Sequence, residues 1–408
     1  VWRLSTGGQG RGAINVCVSD PAAAGVTSRT YNTSKEGSFG QTIVGVKAAA
    51  TGNVITTGDT ARLGFLTEND RFRTNLGFMN AGATNITVNA EFFDAAGSSL
   101  GTQTVDVLPF SNDQWNQAFR HVTTDVVDLG YIDVWSDTPD AAFLTYASVI
   151  DNTTGDPTTI WPFATNQVLG GAPFDCTPVW IAAAASATGA GQSLWATDLG
   201  LNNLGADPLT YRFQFLPRGG DNTDVAMSDP FTLGGNQAVA YSDVWKSLSG
   251  GRGVGAINVC VDNADAAGIV SRTYNQGDLG TFGQTIVGRR GSSPAKISTG
   301  EKARLGFLFE NDQFRTNLGF MNAGAGEISI TVEFFNMQGV SLGMKSLTLV
   351  PFSNVQWNRA FTLDPVFGDS IAAGFVDVWT ETPNAAFLTY ASVIDNTTGD
   401  PTTIWPYE

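Results

Sequence analysis

Short apolar runs alternate with polar residues along the whole chain. Residues 86–93 (ITVNAEFF), 104–110 (TVDVLPF), 131–136 (YIDVWS) and 141–151 (AAFLTYASVID) are rich in β-branched and aromatic side chains. A period of two with this composition predicts half-buried strands. Between them lie AAGSS, DTPD and NTTGDP, where Gly and Asn supply positive φ and Pro a fixed φ for reversals. No window carries a convincing 3.6-residue period. About seven such strands in just over 100 residues predict an all-β chain of tandem immunoglobulin-like antiparallel β-sandwiches, without giving the strand order.

The pattern repeats. Residues 138–162 (TPDAAFLTYASVIDNTTGDPTTIWP) return at 382–406 with one change, Asp140 to Asn384. VWRLSTGGQGRGAINVC at 1–17 aligns without a gap on VWKSLSGGRGVGAINVC at 244–260. SRTYN, FGQTIVG, ARLGFL and FRTNLGFMNAG also recur, giving a period of about 243 residues. Within it TDLGLNNLG at 197–205 resembles TNLGFMNAG at 316–324, so each period holds two related units, A and B. The expected domains are 1–55, the C-terminal half of an A sandwich; 56–163, a B sandwich; 164–298, a complete A; and 299–408, a second B. A half sandwich exposes an unpaired edge and an apolar face. Two readings stay open: a fragment of a longer repeat protein, or a sandwich completed by a strand from a neighbouring subunit. The second would be a heterologous contact able to build a filament.

Composition agrees with strands and turns, with 47 Gly and only 15% charged residues. The net charge of -16 argues against nucleic acid, since no Lys/Arg cluster is present to neutralise phosphates. No apolar run is long enough to span a membrane. The opening VWRLSTGGQG lacks the basic flank and apolar core of a secretion signal.

Cys176 and Cys260 flank the complete A unit, and a disulfide between them would close a loop of about 84 residues, worth roughly 4 to 5 kcal/mol of chain entropy. The alternative is two buried thiols. Cys17 is the repeat counterpart of Cys260 and has no counterpart of Cys176 within the sequence. His121 stands alone, with neither a second histidine nor HExxH, CxxC or GxSxG, so triad and zinc chemistry find no support.

Glu68 with Asp70, and Glu310 with Asp312, recur in ENDxFRTNLGF and could act as paired glycosidase carboxylates. Their tandem duplication instead favours a structural ion pair to Arg73 and Arg315. The turn DNTTGDP offers Asp151, Asn152 and Asp156, and again Asp395, Asn396 and Asp400, as oxygen ligands for calcium, although its spacing matches no established calcium loop. Ten tryptophans could form a sugar-stacking platform, yet eight fall in matched pairs, as packing residues would. No lysine has a lysine at its counterpart position, which removes a repeated Lys–Asn isopeptide bond.

TDLGLNN, FRTNLGFMNAG, IVSRTYN, GTFGQ and YASVIDNTTGDPT resemble a repeat of uncharacterised secreted proteins of environmental bacteria, Acidobacteria among them. The resemblance covers essentially the whole chain. It implies an extracellular or cell-surface tandem immunoglobulin-like protein, with no catalytic residue to carry over. The resulting expectation is a non-enzymatic rod of sandwiches, a stalk, fibre or filament subunit whose partners are copies of itself or adjacent repeats. The alternative is an adhesin or carbohydrate-binding array for a surface glycan.

Overall fold

The computed structural model describes residues 12–20, 24–34, 37–47, 54–164, 177–189, 193–277, 280–290, 296–362 and 371–407. Their regular secondary structure is nearly all antiparallel strand, packed as sandwiches.

The first B unit shows how the alternation becomes a core. In the strand Ile86–Asp94, Ile86, Val88, Ala90 and Phe92 are buried, while Thr87 and Glu91 face out. That strand pairs with Ser99–Val107 and with Val127–Trp135, which pairs in turn with Thr60–Glu68. The opposite sheet runs Pro157–Ile160, Ala142–Asp151, Phe72–Asn80, Asn112–Trp115. Leu63, Leu66, Leu76, Phe78 and Phe143 fill the space between the two layers. The second B unit, with strands from Ile297–Ser298 to Pro401–Ile404, repeats the same order.

The two B units share a bulge at the same place. Pairing jumps from Leu63↔Ile132 to Leu66↔Gly130, and from Leu305↔Val376 to Leu308↔Gly374. Phe65 and Phe307 sit in these bulges at φ 62° and 61°. A bulky residue in the left-handed region is strained, and a bulge re-aims its side chain. Phe307 is thereby exposed, while Phe65 stays half-buried at the margin of its core.

The complete A unit orders its strands Phe231–Leu233, Leu209–Pro217, Gly253–Val261, Thr177–Thr188, Leu194–Asn203, Ala267–Gly277, Gly280–Val287. Thr177–Thr188 shifts register between Ile181 and Ala184, which lets one long strand serve both layers. Val179, Ile181, Leu199, Leu201, Phe213, Ile257 and Val259 form its core.

Of the opening half unit, the hairpin Thr27–Ser34 with Gly37–Val44 reproduces the register of its counterpart: Thr27↔Val44 corresponds to Val270↔Val287. The hairpin lies against the second B unit. Arg29 bonds Asp400 and Thr402, and Thr27 bonds Tyr407. The opening hairpin thus touches a unit that is not its neighbour along the chain. The chain folds back because the hairpin carries the docking residues of a whole A unit and the last B unit offers the matching turn.

Candidate functional site: the junction between units

The aspartates of the two DNTTGDP turns are buried, and each turn grips a hairpin of A type. In the first, Asp156 Oδ2 accepts from Arg272 Nη2 at 3.2 Å and from the Gly283 N–H at 2.9 Å. Asp151 Oδ2 accepts from the Thr281 hydroxyl at 2.7 Å, and Oδ1 accepts from the N–H groups of Thr153 and Thr154. The second copy repeats this on the opening hairpin. Asp400 Oδ2 accepts from Arg29 Nη2 at 3.2 Å and the Gly40 N–H at 3.0 Å, and Asp395 Oδ2 accepts from the Ser38 hydroxyl at 2.8 Å.

The hairpins also cross over. Gln41 of the first hairpin accepts from Ser148 and Thr159 of the first B unit, both at 2.8 Å. Gln284 of the second accepts from Ser392 and Thr403 of the second B unit, at 2.8 and 2.9 Å. Each hairpin therefore holds both B units, and their tips meet where Phe39 and Phe282 pack with ring centroids 5.6 Å apart. The result is a pseudo-twofold junction around a cavity of about 50 Å³, lined by the Gln41, Gln284, Trp161 and Trp405 side chains among others. That volume admits water rather than a sugar or a nucleotide.

Charge at this junction is tuned by burial. Asp156 and Asp400 are fully buried, and each keeps one carboxylate oxygen without a partner. Burial first, only partly offset by Arg272, pushes Asp156 up to about 7. Asp400 is raised by burial and by the charge of Asp156, against the pull of Arg29. Asp151 and Asp395 go the other way: burial pushes them up, but hydrogen bonds from Thr281 or Ser38 and from turn N–H groups together outweigh it.

The signs predict an acid optimum. An aspartate raised in the folded state binds more protons folded than unfolded between its ordinary 3.8 and about 7. Stability from Asp156 therefore rises as pH falls through that window, and Asp400, also raised, contributes with the same sign. Below 3.8 the lowered Asp151 and Asp395 lose theirs. Melting temperature measured from pH 3 to 8 is expected to peak between about 4 and 6. A plateau from 5 to 8 followed by a simple acid collapse would contradict this assignment.

Two further faces join the units. Between the first B unit and the A unit, Arg62 makes a bidentate pair with Asp133 at 2.7 Å for both bonds and donates to the Asn203 carbonyl at 3.0 Å. The Tyr131 hydroxyl donates to the Asn236 carbonyl at 2.7 Å, and burial raises the phenol to about 12. Phe65, aimed by its bulge, lies so close to Gly200 that a Cβ there would come within 2.3 Å of the ring. Between the A unit and the second B unit an apolar patch is flanked by hydrogen bonds from Asn354 Nδ2 to the Ala182 carbonyl and from Asn222 Nδ2 to the Phe352 carbonyl. Trp180, Ala182, Leu216 and Ala256 pack on Met321, Leu388 and Tyr390, with Phe352 stacked on Trp180.

The residues singled out from sequence fall as follows. Asn152 accepts from Arg73 Nη1 at 2.7 Å and donates to the carbonyls of Asn69 and Asp70; Asn396 does the same with Arg315, Asn311 and Asp312. The expected carboxylate partner of Arg73 and Arg315 is thus replaced by an amide oxygen. Glu68 and Glu310 are buried under their strands and accept from the Thr74 and Thr316 N–H groups, whereas Asp70 and Asp312 are exposed in turns. Burial therefore separates each proposed acid pair. Among the described residues no group of three or more His, Cys, Asp or Glu could hold a metal ion.

His121 stacks on Trp115 at 5.2 Å. The described tryptophans are buried or half-buried, and Trp2 lies outside the described residues. Cys176 also lies outside them, Cys260 is buried in Gly253–Val261, and Cys17 is exposed and free. Arg29, Arg272, Gln41 and Gln284, which do most of the docking, were missed as site residues. The available signal was their recurrence inside SRTYN and FGQTIVG.

No protein-family model and no curated protein sequence matches this chain. The resemblance to secreted repeats of environmental bacteria therefore gains no support from them. Among solved structures, the chain is similar to the tetra-tandem repeat in the extending region of a large adhesion protein. The match is 13% identical and covers 94% of this chain and 81% of that one, with a TM-score of 0.13. A superposition that loose carries no argument about function. Among the described residues no helix is long and apolar enough to cross a membrane.

Proposed function

We propose that this chain is a non-enzymatic structural module of a secreted or surface-exposed protein, serving assembly or adhesion by holding its units in one body. The observation that carries the reading is the duplicated junction. Most of the polar groups that sequence offered as ligands or catalysts are spent on contacts within and between units, twice over and with equivalent partners. Buried carboxylates paired with arginine and backbone N–H groups fix geometry rather than turn over substrate. A Cys176–Cys260 disulfide would add a covalent tie within the same A unit.

The second reading is a carbohydrate-binding or adhesin array, with calcium at the DNTTGDP turns. Trp161 and Trp405 lie just beyond those turns and report on them. Tryptophan fluorescence, followed while calcium and then soluble polysaccharides are added, is expected to stay flat. A saturable change with polysaccharide would favour the glycan reading, and one with calcium alone would restore the metal.

A further inference from the structure

The complete A unit shows what its front half, Thr177 to Tyr241, does for its neighbours. Four places in the molecule lack that service. First, Leu194–Asn203 pairs along Ala267–Gly277 from Leu194↔Gln276 to Asn203↔Ala267. The counterpart strand Thr27–Ser34 pairs only with Gly37–Val44 among the described residues. Second, Thr177–Thr188 and Leu209–Pro217 flank Gly253–Val261, burying Ile257, Val259 and Val261. In the opening half unit the same GAINVC sequence forms no strand, and Ile14 and Val16 are each 50% exposed.

Third, the face of the second B unit that corresponds to the Arg62 and Phe65 contacts is partly open, with the Tyr407 hydroxyl over Gly306 where Asn202 lies over Gly64. Arg304 keeps its pair with Asp377 but is 51% exposed, and Phe307, strained in the same bulge, is 39% exposed. A Cβ on Gly97 would meet the Asn236 carbonyl at 2.7 Å, whereas one on its counterpart Gly339 would meet nothing within 4 Å. Fourth, Phe352 stacks on Trp180, while its counterpart Phe110 on the first B unit is 66% exposed.

All four gaps correspond to contacts that a single block makes in the complete copy. The opening hairpin already sits on the second B unit as the other hairpin sits on the first, which fixes where that block would lie. We propose that this surface is an acceptor for the front half of an A-type unit. Its leading strand has the chemistry of Leu194–Asn203, adding to the edge of Thr27–Ser34 and laying its Gly-x-Asn-Asn end over Phe307 and Arg304. Strand addition supplies main-chain hydrogen bonds, and the alternating Leu199 and Leu201 side chains supply register. The inference deepens the structural reading above and rests on it.

The test uses the full chain and a synthetic peptide of residues 193–203, SLWATDLGLNN. Hydrogen exchange in residues 27–34 is expected to slow at least tenfold with saturating peptide. A peptide carrying Leu199→Asp and Leu201→Asp is expected to give no protection. The Phe307→Asp chain, whose new side chain tolerates the left-handed backbone, is expected to keep its melting temperature and bind the peptide about tenfold more weakly. Equal protection by both peptides, or none by either, would overturn the proposal. So would protection that appears in the chain alone and grows with its concentration, which would make a second copy the occupant. Failure here with flat tryptophan titrations leaves the structural role standing, while peptide docking with a saturable polysaccharide response would sink that role alone.

Discussion

Replacing Arg272 with alanine is expected to cost about 3–5 kcal/mol, the loss typical when one partner of a buried pair is removed. The reason is asymmetric. Asp156 is fully buried and already has one orphan oxygen, so losing Arg272 strips the other oxygen of its charged partner and leaves the Gly283 N–H as its hydrogen bond. Arg272 also donates to Thr158 at 2.7 Å and Thr281 at 3.1 Å, and its guanidinium lies over Tyr274, so the substitution removes packing as well as charge. The double change Asp156→Leu with Arg272→Met removes both charges and is expected to recover most of the loss. Urea unfolding of the two single variants and the double variant completes the cycle. If Arg272→Ala cost under 1 kcal/mol, the Arg272–Asp156 pair would not be a main tie between the first B unit and the A unit.

Replacing Trp180 with alanine is expected to cost about 3–5 kcal/mol, the range for emptying a large buried side chain. Trp180 is buried between the A unit and the second B unit, where it stacks on Phe352 at 6.0 Å. The matched control is Phe110→Ala in the other B unit. Phe110 is the sequence counterpart of Phe352 and lies exposed, so its loss is expected to stay within about 0.5 kcal/mol. Melting curves of the two variants check the contrast. Equal losses would mean that Phe110 is covered in solution.

The junction was half legible beforehand. DNTTGDP stood out by its repetition and its oxygen donors, and the same donors that suggested calcium serve an arginine, a threonine or serine hydroxyl and a glycine N–H. A sequence lists donors without saying what faces them, because the partners lie far away along the chain. Arg29 meets Asp400 only after the chain has closed on itself. The carboxylate pair failed for a related reason. Glu68 and Asp70 are two residues apart, but one is buried and the other exposed, and burial is a property of the packed layers.

Sequence by itself determined the all-β class and the duplication, because a period of two with turn residues at the reversals admits little else. Duplication then gave two B sandwiches with the same strand order and the same bulge, since equal side chains meet equal neighbours. Tertiary structure alone decided what became of an identical stretch in two places. GAINVC is a buried central strand at 255–260 and exposed, non-strand chain at 12–17, although the six residues are identical. The difference is the pair of flanking strands present in one case and not described in the other. A strand gains its stability from ladders and buried faces that its own residues cannot supply.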